Sequence, residues 1–236
     1  MIGRVILAAL LAGIAAGILM SGIQQVRITP LILEAEKYET HMAEPQASAA
    51  EQTAGATEQA AEDKAWEPAD GLERTLFTTL ASVATGAGFA ALLTGVSLLT
   101  GIPITLRNGA IWGLCGFIAL TLAPSAGLPP ALPGVPAGDL AFRQIWWTGT
   151  GLATGLALYL FTTRRTFWPI AAAIALIAVP HVIALPEPAN PESAVPPILA
   201  AVYVSNVLAA AAVFWSLIGV FLGYALQRVS KEIHAT

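Results

Sequence analysis

Carboxylates and an imidazole gather in one short stretch, PLILEAEKYETH, whose candidate metal ligands are Glu34, Glu36, Glu39 and His41. A helix that resumes after Pro30 places Glu34, Tyr38 and His41 on one face, at positions i, i+4 and i+7. Carboxylate oxygen and imidazole nitrogen suit divalent first-row metals, and the lack of sulfur argues against a site specialised for Cu(I). The alternative is a solvated helix end in which Lys37 pairs with the glutamates.

A second candidate is His181, which lies in the string AVPHVIALPEP near the end of a long apolar segment. Pro180 precedes it and frees the carbonyl of Leu176 from its helical hydrogen bond. An ionisable residue inside a membrane span typically marks a substrate or ion path, and Glu187 could extend such a path outward. The alternative is a histidine that is hydrogen-bonded to a neighbouring helix.

The motifs of common enzyme classes are absent from the sequence. None of the three lysines follows a glycine as a P-loop requires, and H-E-x-x-H and G-x-S-x-G do not occur. Cys115 is the only cysteine, so no intrachain disulfide can form. We therefore expect a protein that is not an enzyme, with no permanently bound cofactor and no nucleic-acid partner.

The elements that must position these residues are membrane helices. Of the 236 residues, 56% are hydrophobic and 11% are charged, whereas about a quarter of a soluble domain is charged. Six windows without internal charges approach or exceed the roughly 20 residues that cross a bilayer; they are 5–23, 76–99, 108–124, 145–163, 167–185 and 198–226. The pattern predicts an all-α, polytopic transmembrane bundle that forms one integral membrane domain over residues 1–236. If the first window is a cleaved signal peptide, five spans remain.

Basic residues predict the orientation of this bundle, because short cytoplasmic loops are rich in Lys and Arg. With six spans and a cytoplasmic N-terminus, the cytoplasmic side receives Arg4, Arg107, Arg164, Arg165, Arg228 and Lys231. Of the 15 acidic residues, only Glu232 joins them. We therefore expect both termini in the cytoplasm and the protein in the inner (plasma) membrane.

The longest segment outside the predicted spans, residues 27–74, is acidic and should be external. Its middle has few branched apolar residues, so it cannot bury enough surface to offset its ordering entropy, and we expect it to be partly disordered. A second external loop, 124–140, contains five prolines and one charge, and we expect it to pack on the outer mouth of the bundle.

Glycines recur at a spacing of four residues within the spans, in the pairs Gly13 and Gly17, Gly151 and Gly155, and Gly219 and Gly223. This G-x-x-x-G spacing lets helix backbones approach closely in lipid. We interpret the three pairs as packing seams.

Several strings together resemble the cobalt transporter subunit family CbtA: PLILEAEKYE, EPADGLERTLFTTL, NGAIWGLCGFIALTLAPSAGLPPALPG, FRQIWWTGT, PHVIALPEP and AAVFWSLIGVFLGY. They cover nearly the whole chain apart from the acidic linker. The family positions found here are Glu34, Glu36, Tyr38, Glu39, Arg143, Gln144, Trp146, Trp147, Pro180 and His181.

The resemblance implies a membrane subunit for uptake of Co2+, with Ni2+ as the alternative cargo. It also implies a small partner of the CbtB type, with one span and a histidine-rich end; the chain could in addition form a homo-oligomer in the bilayer. From the residues we expect the cluster at 34–41 to collect the cation and pass it to His181. The competing interpretation is a non-transporting scaffold or regulatory subunit of a separate Co/Ni transporter.

Overall fold

The computed structural model describes residues 2–38, 68–69, 71–182 and 192–234 of the chain, and within these residues it is helical with no strand. The elements are α1 (Ile2–Arg27), α2 (29–38), α3 (Leu72–Thr100), α4 (Gly109–Phe117), a π-helical segment (Ile118–Leu122), α5 (Ala123–Ser125), α6 (Leu140–Thr163), α7 (Phe167–Val182) and α8 (Pro197–His234). The predicted all-helical architecture is confirmed. Glu39, His41, Glu187 and most of the predicted linker lie outside the described residues.

Helices occupy the described part of each of the six predicted windows. Three of them are long and apolar enough to cross a membrane on their own, namely α1, α3 and α8. Two further apolar helices are shorter: the stretch Gly109–Ser125, which joins α4 to α5, and α7. A complete span takes about 20 residues, so the count of six spans stays a prediction.

The third apolar helix widens into a π-helix over Ile118–Leu122, where the N–H of Ala123 bonds to the carbonyl of Ile118. Pro124 accounts for this change. It has no N–H to donate to the carbonyl of Leu120, and its ring would collide with that carbonyl in a regular α-helix. The widened segment packs against α6.

Two glycine-lined seams hold the central helices together. A Cβ on Gly13 or Gly17 of α1 would overlap the backbone of α3, and one on Gly219 of α8 would overlap the backbone of α4. Gly223 lies equally close to the loop before α4. The predicted seams of the first and last spans are confirmed.

The third predicted seam is confirmed only in part. A Cβ on Gly151 would press on the side chain of Leu120 in the π-helical segment, but one on Gly155 would meet nothing within 4 Å among the described residues. The four-residue spacing marked Gly151 and Gly155, and only Gly151 packs against a neighbouring helix of the described residues.

The two ends of the bundle are built differently. At one end Arg4 forms an ion pair with Glu232, so the beginning of α1 and the end of α8 lie together. The opposite end, here called the capped end, is covered by α2 and the proline-rich loop. Ala35 of α2, Leu132 of the loop and Val195 before α8 form a small buried apolar cluster, which agrees with the prediction that the loop packs on the mouth of the bundle.

Candidate functional site

A cavity of about 440 Å³ lies beneath the capped end, between α1, α2, α3, the π-helical segment and α8. Its polar lining residues are Gln24, Thr29, Glu36, Arg74, Thr78, Thr121 and Tyr203. Tyr203 and Trp215 both line it, and the helical rise between them is about 18 Å. The cavity therefore runs from the capped end to near the middle of the 38-residue α8.

An ion pair between Glu36 of α2 and Arg74 of α3 lines this cavity. The two guanidinium nitrogens of Arg74 donate to the two carboxylate oxygens of Glu36 over 3.0 and 3.4 Å. The side chain of Glu36 is 33% exposed and that of Arg74 is 25% exposed. This two-pronged geometry fixes the orientation of both groups, and it joins the helix that covers the bundle to a helix within it.

Aromatic residues form the inner wall of the cavity. The rings of Phe89 and Trp215 stack with their centroids 4.3 Å apart, and the indole Nε1 of Trp215 donates to the hydroxyl of Thr121 over 3.0 Å. Trp215 is 1% exposed, so this hydrogen bond satisfies a buried donor. The wall links α3, α8 and the π-helical segment.

A second cavity of about 280 Å³ adjoins the first, and both are lined by Met20, Gln24, Thr78 and Phe214. Ser82 and Thr85 of α3 add hydroxyl groups to the second cavity. The amide oxygen of Gln24 accepts a hydrogen bond from Ser82 over 2.8 Å. A line of amide and hydroxyl oxygens therefore continues along α3 beyond the first cavity.

Backbone contact between α1 and α3 closes this line at its inner end. Gly13 and Gly86 touch, and Gly17 lies against the carbonyl of Ser82. No side chain projects between the helices there, so nothing holds them apart. The two cavities thus lie toward the capped end, and α1 and α3 are in backbone contact at Gly13 and Gly86.

Glu34 is placed differently from Glu36, although both belong to α2. Its carboxylate accepts a hydrogen bond from Lys37 Nζ over 2.6 Å, and both side chains are exposed, at 45% and 65%. This hydrogen bond raises the pKa of Lys37. The pair matches the solvated helix end that the sequence left open as an alternative, and neither residue lines the 440 Å³ cavity.

His181 is not among the residues that line this cavity. Its Nδ1 is 2.9 Å from the carbonyl of Ile177, and its Nε2 is 3.0 Å from the carbonyl of Ala123. Carbonyl oxygens only accept hydrogen bonds, so both ring nitrogens face acceptors. A ligand role for His181 requires the ring to turn away from at least one of them, and that role stays a prediction.

The residues of the R-Q-x-W-W string lie near His181 but have unlike surroundings. Trp146 is 6% exposed, and its Nε1 donates to the carbonyl of Pro180 over 3.0 Å, while its ring meets His181 edge-on. Arg143 is half-buried, and Gln144 and Trp147 are exposed. Trp146 thus links α6 to the end of α7.

Among the described residues that line the cavity, neutral oxygens and the ion pair of Glu36 with Arg74 dominate the chemistry. Among the described residues, no group of three or more His, Cys, Asp or Glu side chains lies close enough to hold a metal ion. Such a lining offers hydrogen-bond acceptors to the water around a hydrated cation, and it contains one carboxylate, that of Glu36, which is paired with Arg74. Sequence reasoning identified Glu36 but missed Gln24, Arg74, Thr78, Thr121 and Tyr203.

The apolar helices, the glycine seams and the capped cavity define a helical integral membrane protein. The chain matches the family CbtA, described as probable cobalt transporter subunit, over residues 2–227, and it belongs to that family. Membership makes it a subunit of a cobalt transporter, and a subunit implies at least one partner. Comparison with curated proteins and with solved structures finds no match.

Proposed function

We propose that the chain carries Co2+ across the inner membrane into the cytoplasm, with the 440 Å³ cavity as its external vestibule. The observation that supports this most directly is the carboxylate of Glu36, which lines a cavity reaching the middle of the bundle. Family membership supplies the cargo, with Ni2+ as the close alternative, since both ions accept the same ligands.

The size of the cavity supports entry of a hydrated ion. Six water molecules take up roughly 180 Å³ at about 30 Å³ each, and the cavity of about 440 Å³ exceeds this. Gln24, Thr78 and Tyr203 offer oxygen atoms that can replace second-shell water around the ion. Glu36 supplies a carboxylate that a cation can bind once it displaces Arg74.

The direction of transport in this proposal follows from charge. The end where Arg4 meets Glu232 carries the basic loops and faces the cytoplasm by the positive-inside tendency. The vestibule then opens outward. An inside-negative potential favours inward movement of a divalent cation by about 4.6 kcal/mol per 100 mV.

The partner in this proposal is a small single-span subunit with a histidine-rich end. The described residues hold no three-ligand group of their own, so a partner that brings imidazole would complete the coordination of an ion that has lost its water. Glu34 serves as a surface collector on α2. Glu39, His41 and Glu187 keep their proposed role as further ligands on the external side.

Uptake of radiolabelled cobalt tests the proposal in cells that lack their own cobalt importer and express the chain with its small partner. We expect accumulation that depends on both proteins and that falls at least about tenfold with Glu36→Gln, since an uncharged amide does not attract a cation. Glu73→Gln is the matched control, because Glu73 lies beside Arg74 but does not line the cavity.

The same measurement decides the scaffold alternative. A scaffold predicts no uptake above background with the partner present, together with tight co-purification with a separate metal permease. That pair of results would overturn the transporter proposal.

A further inference from the structure

We infer that Arg74 is a built-in competitor for the cation at Glu36, and that it sets the affinity and the charge selectivity of the vestibule. The inference rests on the proposed function, because it concerns the same carboxylate. Arg74 is not among the positions that the sequence pointed to as a ligand or pathway residue.

The geometry places a guanidinium where a cation would sit. Both carboxylate oxygens of Glu36 accept hydrogen bonds from Arg74, over 3.0 and 3.4 Å. A metal ion that binds this carboxylate takes over the lone pairs that now face the guanidinium. Arg74 and the ion therefore compete for the same two oxygen atoms.

This competition discriminates between ions by charge. A monovalent ion that displaces Arg74 exchanges one positive charge for another and gains no attraction, while two charge-assisted hydrogen bonds are lost. A divalent ion doubles the Coulomb attraction to the carboxylate at the same distance. Glu36 thus binds divalent cations in competition with Arg74 and does not bind Na+ or K+.

Because of where the pair lies, displacement of Arg74 by an ion would change the connection between α2 and α3. Glu36 belongs to α2, the helix that covers the capped end, and Arg74 belongs to the first turn of α3. The two side chains are only partly exposed, at 33% and 25%, so water screens them less than a surface pair. When an ion releases Arg74, the link between the cover and α3 is also released.

Arg74→Gln tests the inference in the full-length protein solubilised in detergent, titrated with cobalt chloride by calorimetry. We expect the variant to bind Co2+ about two- to fivefold more tightly than the wild type, which corresponds to the strength of a partly screened ion pair. Na+ should then compete with Co2+ in the variant but not in the wild type.

Arg27→Gln is the matched control. It makes the same substitution at the same end of the bundle, on an exposed residue at the end of α1 that does not line the cavity. Its affinity for Co2+ should equal that of the wild type. Equal tightening in both variants would mean a general effect of net charge and would overturn the inference.

If the ion pair is purely structural, Arg74→Gln should bind Co2+ more weakly than the wild type or equally well, because a loosened α2 gives the ion no additional attraction. Either result for a folded Arg74→Gln protein overturns the inference. If that variant does not fold, Arg74→Lys keeps the charge but has no planar fork, and a smaller tightening is then required. Because binding is measured without transport, failure of uptake in the wild type would count against the proposed function alone.

Discussion

The backbones of Gly13 in α1 and Gly86 in α3 lie in direct contact, because neither residue has a side chain that could separate the helices. This contact closes the inner end of the polar line that begins at Glu36. In lipid, where the hydrophobic effect does not drive helices together, such close backbone packing is a main source of association.

Gly86→Ala should therefore destabilise the bundle. The added Cβ would overlap the carbonyl oxygen of Gly13, which is backbone and cannot move aside cheaply. Overpacking of this kind typically costs about 1–3 kcal/mol. The measurement is thermal denaturation in detergent, followed by the recovery of monodisperse protein from a size-exclusion column.

Gly88→Ala provides the control for this experiment on the same helix. A Cβ at Gly88 meets nothing within 4 Å among the described residues, and alanine is a better helix former than glycine by about 1 kcal/mol. We expect unchanged or slightly higher stability. Equal loss in both variants would show that the Gly13 contact does not matter.

Trp146→Phe should lower stability by breaking the link between α6 and α7. The substitution keeps an aromatic ring but removes the Nε1 donor, leaving the Pro180 carbonyl without that bond. Losing a partly buried hydrogen bond of this kind typically costs about 0.5–1.5 kcal/mol. Trp147→Phe is the control, since Trp147 is 39% exposed. The same denaturation assay should separate the two, and matching midpoints would contradict the role given to Trp146.

The helices themselves could be predicted from the sequence because each one is an uninterrupted apolar run. The window 76–99 became α3 (Leu72–Thr100), and the window 198–226 became the core of α8. Lipid leaves the backbone few alternatives to a helix, so composition alone decides the type of element. Both helices extend beyond their windows, because charged residues such as Glu73 and Lys231 can lie at the membrane–water interface.

The partners of these helices could not be predicted in the same way. The spacing of Gly13 and Gly17 indicated a seam, but nothing in the sequence identified Gly86 as the residue opposite. The same holds for Glu36 and Arg74, which are separated by the long acidic segment and meet only in the folded bundle. A sequence motif such as the glycine spacing predicts that a helix face packs closely, but it does not predict which helix packs against that face.

The cavity was missed for a related reason. Its oxygen-bearing lining comes from α1, α2, α3, the π-helical segment and α8, and each contributes only one or two polar residues. Single threonines within a span are usually explained by a hydrogen bond to their own helix, as Thr79 and Thr94 show. The sequence instead points to the ionisable residue of a span, His181, which does not line the cavity.

His181→Ala should reduce both stability and cobalt uptake, and His181→Gln should restore most of each. Glutamine can still donate to the Ala123 carbonyl that Nε2 now faces, but it is a poor substitute for imidazole as a metal ligand. The measurements are thermal denaturation and uptake of radiolabelled cobalt. Loss of uptake in both variants at wild-type stability would instead support the ligand role that the sequence predicted.

Gln24→Leu should block uptake without destabilising the bundle. Leucine has a similar size, but it removes the amide that lines both cavities and accepts the hydrogen bond from Ser82. A divalent ion that keeps part of its water then meets an apolar side chain where the two cavities join, and desolvation there costs several kcal/mol. We expect uptake to fall by at least about tenfold, which corresponds to 1.4 kcal/mol in the barrier.

Thr79→Val is the matched control for this change, because it also removes a hydrogen bond between α1 and α3. The hydroxyl of Thr79 lies 2.6 Å from that of Ser21, and Thr79 lines neither cavity. Uptake should therefore be preserved in Thr79→Val at normal expression. If it falls as far as in Gln24→Leu, then the polarity of the whole seam matters and the junction at Gln24 has no special role in the passage of the ion.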